Sequence, residues 1–208
     1  MPERLSALAF CGAFNPPTVA HLDLSYLALR ETGREAVVFV PSKSFYIRDS
    51  QGKDYAFSDG ERLAMLRACA ASRPWMRVWD GELRAEHQPR TYETLCRLRE
   101  EGVDASLLLG SDKLSELGQK WLHVPAIAKE FGIVCLARGS DECEAIIAAD
   151  PFLSSLSDCI RIILTPEETR EVSSSRARAL LREGGEGARE ALSGMLPEEV
   201  LRLLQKPE

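Results

Sequence analysis

The 208-residue sequence contains no run of eighteen apolar residues and no excess of positive charge. Without such a run, the sequence offers no candidate for a helix that spans a membrane, and the early apolar run Leu5–Cys11 is too short for a signal sequence. Proteins that bind nucleic acid or anionic membranes usually present a basic face, and a net charge of −6 argues against one here. We therefore predict a cytoplasmic protein that binds neither nucleic acid nor membranes. Any phosphate ligand would have to meet a local basic pocket.

The sequence also lacks paired cysteines, low-complexity linkers and internal repeats. None of its six cysteines stands in a C-x-x-C spacing, and several lie inside apolar runs, which is typical of buried reduced thiols rather than zinc ligands or disulfides. A composition of 45% hydrophobic and 28% charged residues over this length suits one compact domain. We predict a single domain over residues 1–208, with a C-terminal helical part from about residue 173.

Short apolar runs alternate with amphipathic stretches along the chain. This alternation predicts an α/β fold, a Rossmann-like doubly wound parallel sheet followed by a C-terminal helical segment. The predicted strands are Leu5–Cys11, Ala36–Pro41, Met76–Trp79, Ala105–Gly110, Gly132–Ala137 and Cys159–Leu164. The predicted helices are Pro17–Arg30, Ser58–Ala71, Thr91–Glu100, Ala126–Glu130, Cys143–Ala149, Ser174–Arg182 and Pro197–Gln205.

Two segments interrupt the alternation. Ser42–Phe57 is long for a connection between a strand and a helix, and Gly81–Arg90 contains glycine, histidine and proline residues that disfavour a regular element. Both follow the carboxyl ends of predicted strands, and ligands bind at that edge of open α/β sheets, where the strand order switches. We predict that both segments are functional loops.

The segment Cys11–His21 is the first with a chemical pattern, and it lies where the first strand turns into the first helix. Gly12 lets the backbone approach a ligand, and two prolines set the turn so that the opening N–H groups of the helix can face an anion. Thr18 and His21 are three residues apart, so on a helix they would share one face about one turn in and could both point at a phosphate. A structural turn followed by a core-facing histidine is the alternative.

A second segment, Val172–Arg178, repeats this pattern near the C-terminus. Three serines, Ser173, Ser174 and Ser175, stand at a predicted helix start, and Arg178 follows one turn later. Serine is a favourable N-cap, and hydroxyl groups, backbone N–H groups and a guanidinium together suit a phosphate. The alternative is a capped surface helix with solvated arginines.

Together these residues resemble the nicotinamide/nicotinate mononucleotide adenylyltransferases of the nucleotidylyltransferase superfamily. The opening signature of that family, G-x-F-x-P followed by H/T-x-x-H, is matched by Gly12, Phe14, Pro16, Thr18 and His21. The closing signature, S-S-T/S-x-x-R, is matched by Ser173, Ser174, Ser175 and Arg178. Weaker matches lie between the two signatures, at Arg62, Thr91–Leu95, Gly110–Asp112, Trp121 and Phe131–Arg138.

This resemblance implies that the protein transfers AMP from ATP to nicotinamide or nicotinate mononucleotide and releases pyrophosphate. A mononucleotide phosphate is largely dianionic near neutral pH, so catalysis would rest on positioning and charge stabilisation rather than on a general base. Mg²⁺ would accompany ATP, bridging phosphate oxygens with water in its other positions and no direct protein ligand, because the sequence shows no carboxylate cage. ATP and a pyridine mononucleotide are the expected partners, and self-association into a homo-oligomer is left open.

The resemblance also implies roles for individual residues. The expected catalytic residues are His21 and Thr18 at the α- and β-phosphates, with Arg178 near the β/γ end. The other ATP-binding candidates are Gly12, Ala13, Phe14, Lys53 (with Lys43 as its alternative on the same loop), Gly110, Asp112, Arg138, Ser173, Ser174 and Ser175. The mononucleotide-binding candidates are Asn15, Trp79, Thr91, Thr94 and Trp121. Gly81 stands where eukaryotic relatives carry an aromatic residue beside the pyridine, and Trp79 and Tyr92 are the alternatives for that place.

Two other functions remain in contention. The Thr-x-x-His form also occurs in phosphopantetheine adenylyltransferases, so transfer to a different phosphate is the nearest rival. Trp121 and Thr91–Leu95 argue against this rival. A non-catalytic ATP-binding relative is the second alternative, and the presence of His21 and of the closing signature argues against it. The sequence leaves the choice between the nicotinamide and the nicotinate substrate open.

Overall fold

A computed structural model describes residues 4–49, 57–138, 143–166 and 172–205. Within these residues the strands are β1 (Leu5–Gly12), β2 (Ala36–Pro41), β3 (Met76–Val78), β4 (Val103–Gly110), β5 (Ile133–Arg138) and β6 (Ile160–Thr165). The helices are α1 (Val19–Thr32), α2 (Ser44–Asp49), α3 (Asp59–Ala71), α4 (Gly81–Arg84), α5 (Thr91–Glu100), α6 (Leu114–Lys120), α7 (Val124–Phe131), α8 (Cys143–Ala149), α9 (Pro151–Ser154), α10 (Ser174–Glu183), α11 (Gly185–Ser193) and α12 (Glu198–Leu204). Two short 3₁₀ turns cover Ser111–Lys113 and Ser157–Cys159.

The six strands form one sheet in the order β3-β2-β1-β4-β5-β6. The pairs β1–β4, β4–β5 and β5–β6 are parallel, with Ala7 opposite Ala105 and Leu108 opposite Val134. The chain proceeds outward from β1 to β3 and then continues on the other side of β1, which is the doubly wound order. The predicted Rossmann-like α/β fold, with helices α10 to α12 as its C-terminal segment, is confirmed.

The strands lie where the apolar runs predict them. β2 covers Ala36–Pro41 as expected, and each of its six residues is buried. A strand covered on both faces is apolar throughout rather than at alternate positions, which explains why a continuous apolar run was the correct signal. The other five strands and the seven predicted helices end within two residues of the predicted limits, and α5 and α8 match theirs.

Five helices lie outside the predicted set, and two of them correct the interpretation of the interrupted segments. Gly81–Arg90 does form a regular element in its first half, since α4 occupies Gly81–Arg84. Asp80 pairs with Arg84 one turn later and with Arg67 of α3, both at 3.0 Å. Both ion pairs involve Asp80, the residue before α4, and they stabilise a helix that would be too short to persist alone.

The second correction concerns Ser42–Phe57, because α2 begins at Ser44 within this segment. The backbone N–H of Ser44 donates to Oδ1 of Asp59, on α3, at 2.8 Å. A carboxylate from another helix thus satisfies one of the unpaired donors at the start of α2. The predicted loop is therefore partly helical, and a contact fifteen residues away in sequence stabilises the helix.

The chain divides into two compact units, each described here by itself. The first unit comprises the described residues of 1–11, 24–38 and 89–170, and the second those of 12–23, 39–88 and 171–208. Leu107, Leu108 and Cys135 lie in the core of the first unit, and Phe39 and Leu66 in the core of the second. The assignment of residues 1–208 to one nucleotidylyltransferase domain stays a prediction.

Among the described helices, none is long and apolar enough to cross a bilayer. No disulfide joins any two of the six cysteines, all of which the structure describes; Cys69, Cys135 and Cys143 are buried and the other three are half-buried. Burial and the negative charge of Glu199 raise the pKa of the Cys69 thiol to about 12. This thiol therefore stays protonated near neutral pH and behaves as a small apolar side chain.

Candidate active site

The backbone between β1 and α1, residues 13–18, forms what we call the β1–α1 loop. Gly12, at the end of β1, leaves room for its first turn, because a Cβ atom there would lie 3.2 Å from Cζ of Phe14. Phe14 is buried and has a φ of 45°, a left-handed conformation that is uncommon outside glycine, and the Asn15–Pro16 peptide bond is cis. Left-handed non-glycine residues are concentrated at functional sites, so this turn is a candidate for ligand binding.

Four carbonyl groups, that of Gly12 at the end of β1 and three in this loop, accept hydrogen bonds from elsewhere in the second unit. The bonds run from the Ser42 N–H to Gly12 O (2.9 Å), from Arg62 Nη1 to Ala13 O (2.5 Å), from Arg178 Nη1 to Asn15 O (2.8 Å) and from Ser174 Oγ to Pro16 O (2.8 Å). Carbonyl oxygens carry partial negative charge and would repel a phosphate. Because these four are bonded to protein donors, the loop can present N–H groups and side chains to an anion instead.

Thr18 and His21 contact each other at the end of this loop. The hydroxyl oxygen of Thr18 lies 2.7 Å from Nδ1 of His21, and the backbone N–H of Thr18 donates to the same nitrogen at 3.1 Å. A backbone N–H can only donate, so Nδ1 must accept, and the neutral imidazole therefore carries its proton on Nε2. The arrangement selects the tautomer in which Nε2 is a hydrogen-bond donor.

The pair lies earlier on the helix than the sequence predicts. α1 begins at Val19 rather than Pro17, so Thr18 precedes the helix and His21 lies in its first turn. Thr18 is fully buried, whereas His21 is half-buried. The imidazole is therefore the more accessible of the two groups.

The opening N–H groups of α1 are also used differently from the prediction. The Thr18 N–H bonds to His21 Nδ1, the Val19 N–H to the carbonyl of Met195 at 2.9 Å, and the His21 N–H to the carbonyl of Thr18 at 3.1 Å. The expectation that they face an anion is wrong for these three groups. The side chain of His21, with its proton on Nε2, supplies a further donor at this end of the helix.

Helix α10 contributes the second motif. Ser173 is its N-cap, as predicted, with its hydroxyl accepting the Arg176 N–H at 3.2 Å. Arg178 is only 8% exposed and also donates to Oγ of Ser175 at 3.4 Å, whereas Arg176 is exposed. The alternative of a surface helix with solvated arginines therefore fails for Arg178. Through Ser174 and Arg178, the closing signature holds the carbonyls of the opening one.

Arg62 of α3 holds the loop from a third direction and has no role in the sequence-based assignment. Its side chain is 0% exposed; besides Ala13, its Nη2 donates to the carbonyl of Ser42 at 2.5 Å and to Asp59 Oδ1 at 2.6 Å. Burial lowers the pKa of the guanidinium, and the contact with Asp59 offsets that effect. Burial raises the pKa of Asp59, but hydrogen bonds from Ser44 and Arg62 bring it below its usual value. The two groups form a charged pair.

The sequence does carry a signal for Arg62. It occupies the first position of an i, i+3, i+4, i+7 stripe whose other members, Met65, Leu66 and Cys69, are buried. A charged residue at an apolar position of a helix predicts a buried polar contact. Its carbonyl partners, Ala13 and Ser42, could not be predicted in the same way, because they lie on two separate loops.

Beyond β3, Trp79 covers Gly81 within the second unit. A Cβ atom on Gly81 would lie 2.1 Å from Cζ2 of Trp79, so no side chain fits there while the indole holds this position. Lys43 donates from Nζ to the carbonyl of Leu83 at 2.8 Å. This bond directs Lys43 to α4, so its predicted alternative role over a triphosphate gains no support. Lys53 lies outside the described residues.

The remaining candidates belong to the first unit. Thr91 is the first residue of α5, whose N-cap is Arg90, and Thr94 is buried on the same helix. The hydroxyl of Tyr92 donates to Oε1 of Glu130 at 2.9 Å. Tyr92 is thus engaged with α7, whereas Trp79 lies directly over Gly81.

At the end of β4, Gly110 allows a close approach by Asp112. A Cβ atom on Gly110 would lie 2.6 Å from Oδ1 of Asp112, whose side chain is 60% exposed. Trp121 directly follows α6 and is half-buried. Arg138 is the last residue of β5, and its backbone lies opposite Thr165 of β6. The structure therefore gathers the two signatures in the second unit and leaves these four candidates in the first.

Comparison with known proteins gives three findings. The model of the cytidylyltransferase-like family matches residues 9–180. The chain is 28% identical over 192 residues to the nicotinamide/nicotinic acid mononucleotide adenylyltransferase of Arabidopsis thaliana, covering 85% of this chain and 80% of the relative. It is 26% identical over 223 residues to nicotinamide/nicotinic acid mononucleotide adenylyltransferase 2 of Caenorhabditis elegans, covering 98% and 96%.

Among solved structures, the fold is similar to that of Plasmodium falciparum nicotinic acid mononucleotide adenylyltransferase complexed with APC. The TM-score is 0.72 over 95% of this chain and 93% of that chain. Because the sequence identity is 17%, this similarity establishes the fold alone.

Proposed function

We propose, starting from the fact that this chain belongs to the cytidylyltransferase-like family, that it transfers AMP from ATP to nicotinamide or nicotinate mononucleotide. The products are the dinucleotide and pyrophosphate. The observation that carries the proposal is the geometry of the β1–α1 loop. Its carbonyls accept hydrogen bonds from Arg62 and Arg178, and its last residue, Thr18, holds His21 in the tautomer with a donor at Nε2. The names of the two relatives described above support the choice of substrates.

In the proposed reaction an oxygen of the mononucleotide phosphate attacks the α-phosphorus of ATP. The bond to the oxygen bridging the α- and β-phosphates breaks, and that oxygen leaves with pyrophosphate. No proton needs to be removed first, since the attacking phosphate is largely dianionic. The protein must therefore align the two phosphates and stabilise the negative charge that shifts onto the leaving oxygens.

We assign the principal donor in this step to His21. Its Nε2–H would donate to an α-phosphate oxygen, and Thr18 holds the ring in the tautomer that makes this possible. Ser175, exposed in the first turn of α10, is our candidate for contact with the β/γ end. Arg178 would act at least through Asn15, whose carbonyl it holds. ATP would enter as its magnesium complex, in which the ion would offset part of the negative charge of the phosphates.

For the mononucleotide, Asn15 and Trp79 are the candidates in the second unit. Asn15 is buried, and nothing within the described residues donates to its Oδ1. Buried acceptors rarely lack a partner, so a donor from a ligand or an ordered water suits this atom. We assign to Trp79 the place of the aromatic residue missing at Gly81, because its indole covers that glycine. Thr91, Thr94 and Trp121 of the first unit stay proposals, as do Gly110, Asp112, Arg138 and Lys53 at the nucleotide.

The test is a coupled assay that offers ATP with nicotinamide mononucleotide, nicotinate mononucleotide or phosphopantetheine, and measures both pyrophosphate and the dinucleotide. We expect turnover with both pyridine substrates, as the names of the two relatives cover both bases. Turnover with phosphopantetheine alone would replace the proposal with its nearest rival. ATP binding without turnover of any acceptor would indicate a non-catalytic relative.

The predicted cytoplasmic location and the absence of nucleic-acid partners belong to the same proposal. The proposed location rests on the lack of an apolar run long enough for a signal or a membrane span. The proposed absence of nucleic-acid partners rests on the net charge of −6, which argues against a basic face for a polyanion.

A further inference from the structure

The side chain of Arg62 is wholly enclosed, and both terminal nitrogens of its guanidinium donate to protein atoms. Nη1 donates to the Ala13 carbonyl, and Nη2 donates to the Ser42 carbonyl and to Asp59. Ala13 follows β1 and Ser42 follows β2, so one guanidinium links the carboxyl ends of these two strands. Since the group has no exposed surface, it acts through these contacts rather than by touching a substrate.

A guanidinium at this position costs free energy that an apolar residue would not. Burying a charge is unfavourable unless it is paired and fully hydrogen-bonded, and a well-packed apolar side chain is often at least as stabilising. The neighbours of Arg62 on the same stripe are the apolar Met65, Leu66 and Cys69. What arginine adds is a planar fork that holds two carbonyls in fixed directions, which neither lysine nor an apolar residue can do.

The direction of the Ala13 carbonyl matters for the rest of the loop. In a trans peptide the N–H of the following residue points the opposite way from the carbonyl, so the bond to Arg62 turns the Phe14 N–H away from α3. The Phe14 ring in turn lies edge-on to the imidazole of His21, with 5.3 Å between ring centroids. Arg62 is therefore connected to His21 through Ala13 and Phe14.

We propose that Arg62 is a positioning residue for adenylyl transfer, which orients the β1–α1 loop and through it the donor on His21. Asp59 serves Arg62 in this role, since its Oδ1 accepts from Nη2 at 2.6 Å and also accepts the Ser44 N–H. The inference rests on the proposed function for its kinetic consequence. Its structural part, the orientation of a phosphate-binding loop, can be measured by nucleotide binding without turnover.

The experiment compares Arg62→Lys and Arg62→Ala with a matched control, Met65→Ala, which removes a buried side chain from the same stripe of α3. All three should lower the melting temperature. At temperatures below the unfolding transition, we expect kcat/KM for ATP to fall by ~10- to 100-fold in both Arg62 variants, the scale of losing charged hydrogen bonds. Met65→Ala should stay within about twofold of wild type per folded molecule, because it leaves the loop carbonyls bonded.

Two further measurements separate positioning from simple destabilisation. Guanidinium ion at a concentration below that which unfolds the protein should restore part of the activity of Arg62→Ala, because it can occupy the space left by the side chain and donate to the same carbonyls. Asp59→Asn, at a partly exposed position, should fold and should raise KM for ATP by roughly threefold, since it weakens the hold on Arg62 without removing it. This variant keeps the test decisive if the Arg62 variants do not fold.

Normal ATP kinetics in Arg62→Lys and Asp59→Asn would overturn the inference. It would also be overturned if kcat/KM of Arg62→Ala fell no further than that of Met65→Ala and guanidinium did not restore it. These outcomes leave the proposed function intact if the wild type forms the dinucleotide. If the wild type forms none, the proposed function fails, and calorimetric titration with ATP decides the inference separately. Weaker ATP binding in the Arg62 variants than in Met65→Ala would then support it, and equal binding would overturn it.

Discussion

The β1–α1 loop is fixed by hydrogen bonds from other helices, whereas Trp121 and its neighbour Leu122 are partly exposed to solvent. The loop is bonded through its carbonyls to Arg62 of α3 and to Arg178 of α10. Trp121 follows α6 with a half-buried side chain, and its neighbour Leu122 is 53% exposed. A phosphate needs donors at fixed positions, whereas a flat ring needs only one aromatic face. We therefore expect changes around the loop to act on ATP binding and on turnover, and changes at Trp121 to act on the binding of the mononucleotide.

The largest effect is expected for His21→Ala. Removal of one transition-state donor typically costs ~10²-fold or more in kcat, and the Nε2–H of His21 is our candidate for that donor. The measurement is kcat at saturating substrates, with circular dichroism to verify that the variant is folded. A folded variant that retains its full kcat would remove His21 from the chemical step.

Arg178→Ala should weaken ATP binding more than mononucleotide binding. It removes a donor from the Asn15 carbonyl and leaves a buried acceptor of the loop unpaired. We expect kcat/KM for ATP to fall by ~10- to 100-fold through a higher KM, the scale of a lost hydrogen bond to a charged group.

Arg182→Ala is the matched control, because Arg182 is exposed one turn further along α10. It should leave ATP kinetics within about twofold of wild type, as expected for a surface arginine. Equal behaviour of the two variants would return Arg178 to a purely structural role.

Trp121→Ala tests whether Trp121 stacks on the pyridine ring of the mononucleotide. Loss of a stacking face should weaken mononucleotide binding by ~10-fold or more, while ATP binding changes little. The measurement is a titration of both mononucleotides into wild type and variant in the presence of a non-hydrolysable ATP analogue. Parallel losses would support one stacking platform for both bases, because stacking is nearly blind to the exocyclic group. Unaltered binding of both would place the ring elsewhere.

The smallest effect concerns stability rather than ligands. Burial by itself would raise the pKa of Glu199, but hydrogen bonds from Arg73 and Ser72 lower it to about 2. A depressed carboxyl pKa contributes stability above its usual value of 4.5, and this contribution is lost as the pH falls toward 2. Glu199→Gln should therefore reduce the free energy of unfolding at pH 7 by about 1 to 2 kcal/mol.

Urea unfolding of wild type and Glu199→Gln at pH 7 and pH 3 measures this difference. The gap between the two proteins should shrink at the lower pH, and the kinetic constants per folded molecule should not change at pH 7. A gap that stays constant with pH would mean that packing, and not the charge of Glu199, stabilises this contact.

Much of the fold could be predicted from the sequence because its signals are local. β2 is a continuous apolar run with both faces buried, and α5 has the helical period and the limits expected of Thr91–Glu100. Ser173 was predicted as an N-cap from residue type and position alone. Each of these features depends on residues within a few positions of each other, so the pattern in the sequence contains the physical cause.

The elements that escaped prediction depend on distant partners. α4 has four residues, among them Gly81, and Asp80 before it is paired with Arg67 of another helix. α2 begins at Ser44, whose N–H is satisfied by Asp59. Neither helix has enough residues to show a period, and the groups that stabilise them are not adjacent in sequence.

By itself the sequence determined the six strands, seven of the helices and the placement of two polar motifs at strand–helix junctions, since periodicity and capping are properties of short segments. Only the tertiary structure decided what those polar groups contact. Arg62 meets Ala13 across 49 positions and Arg178 meets Asn15 across 163. A buried donor takes whichever acceptor the fold brings within about 3 Å, and no local pattern records that choice. The direction of the loop carbonyls, and with it the proposed capacity to hold a phosphate, is therefore a product of folding.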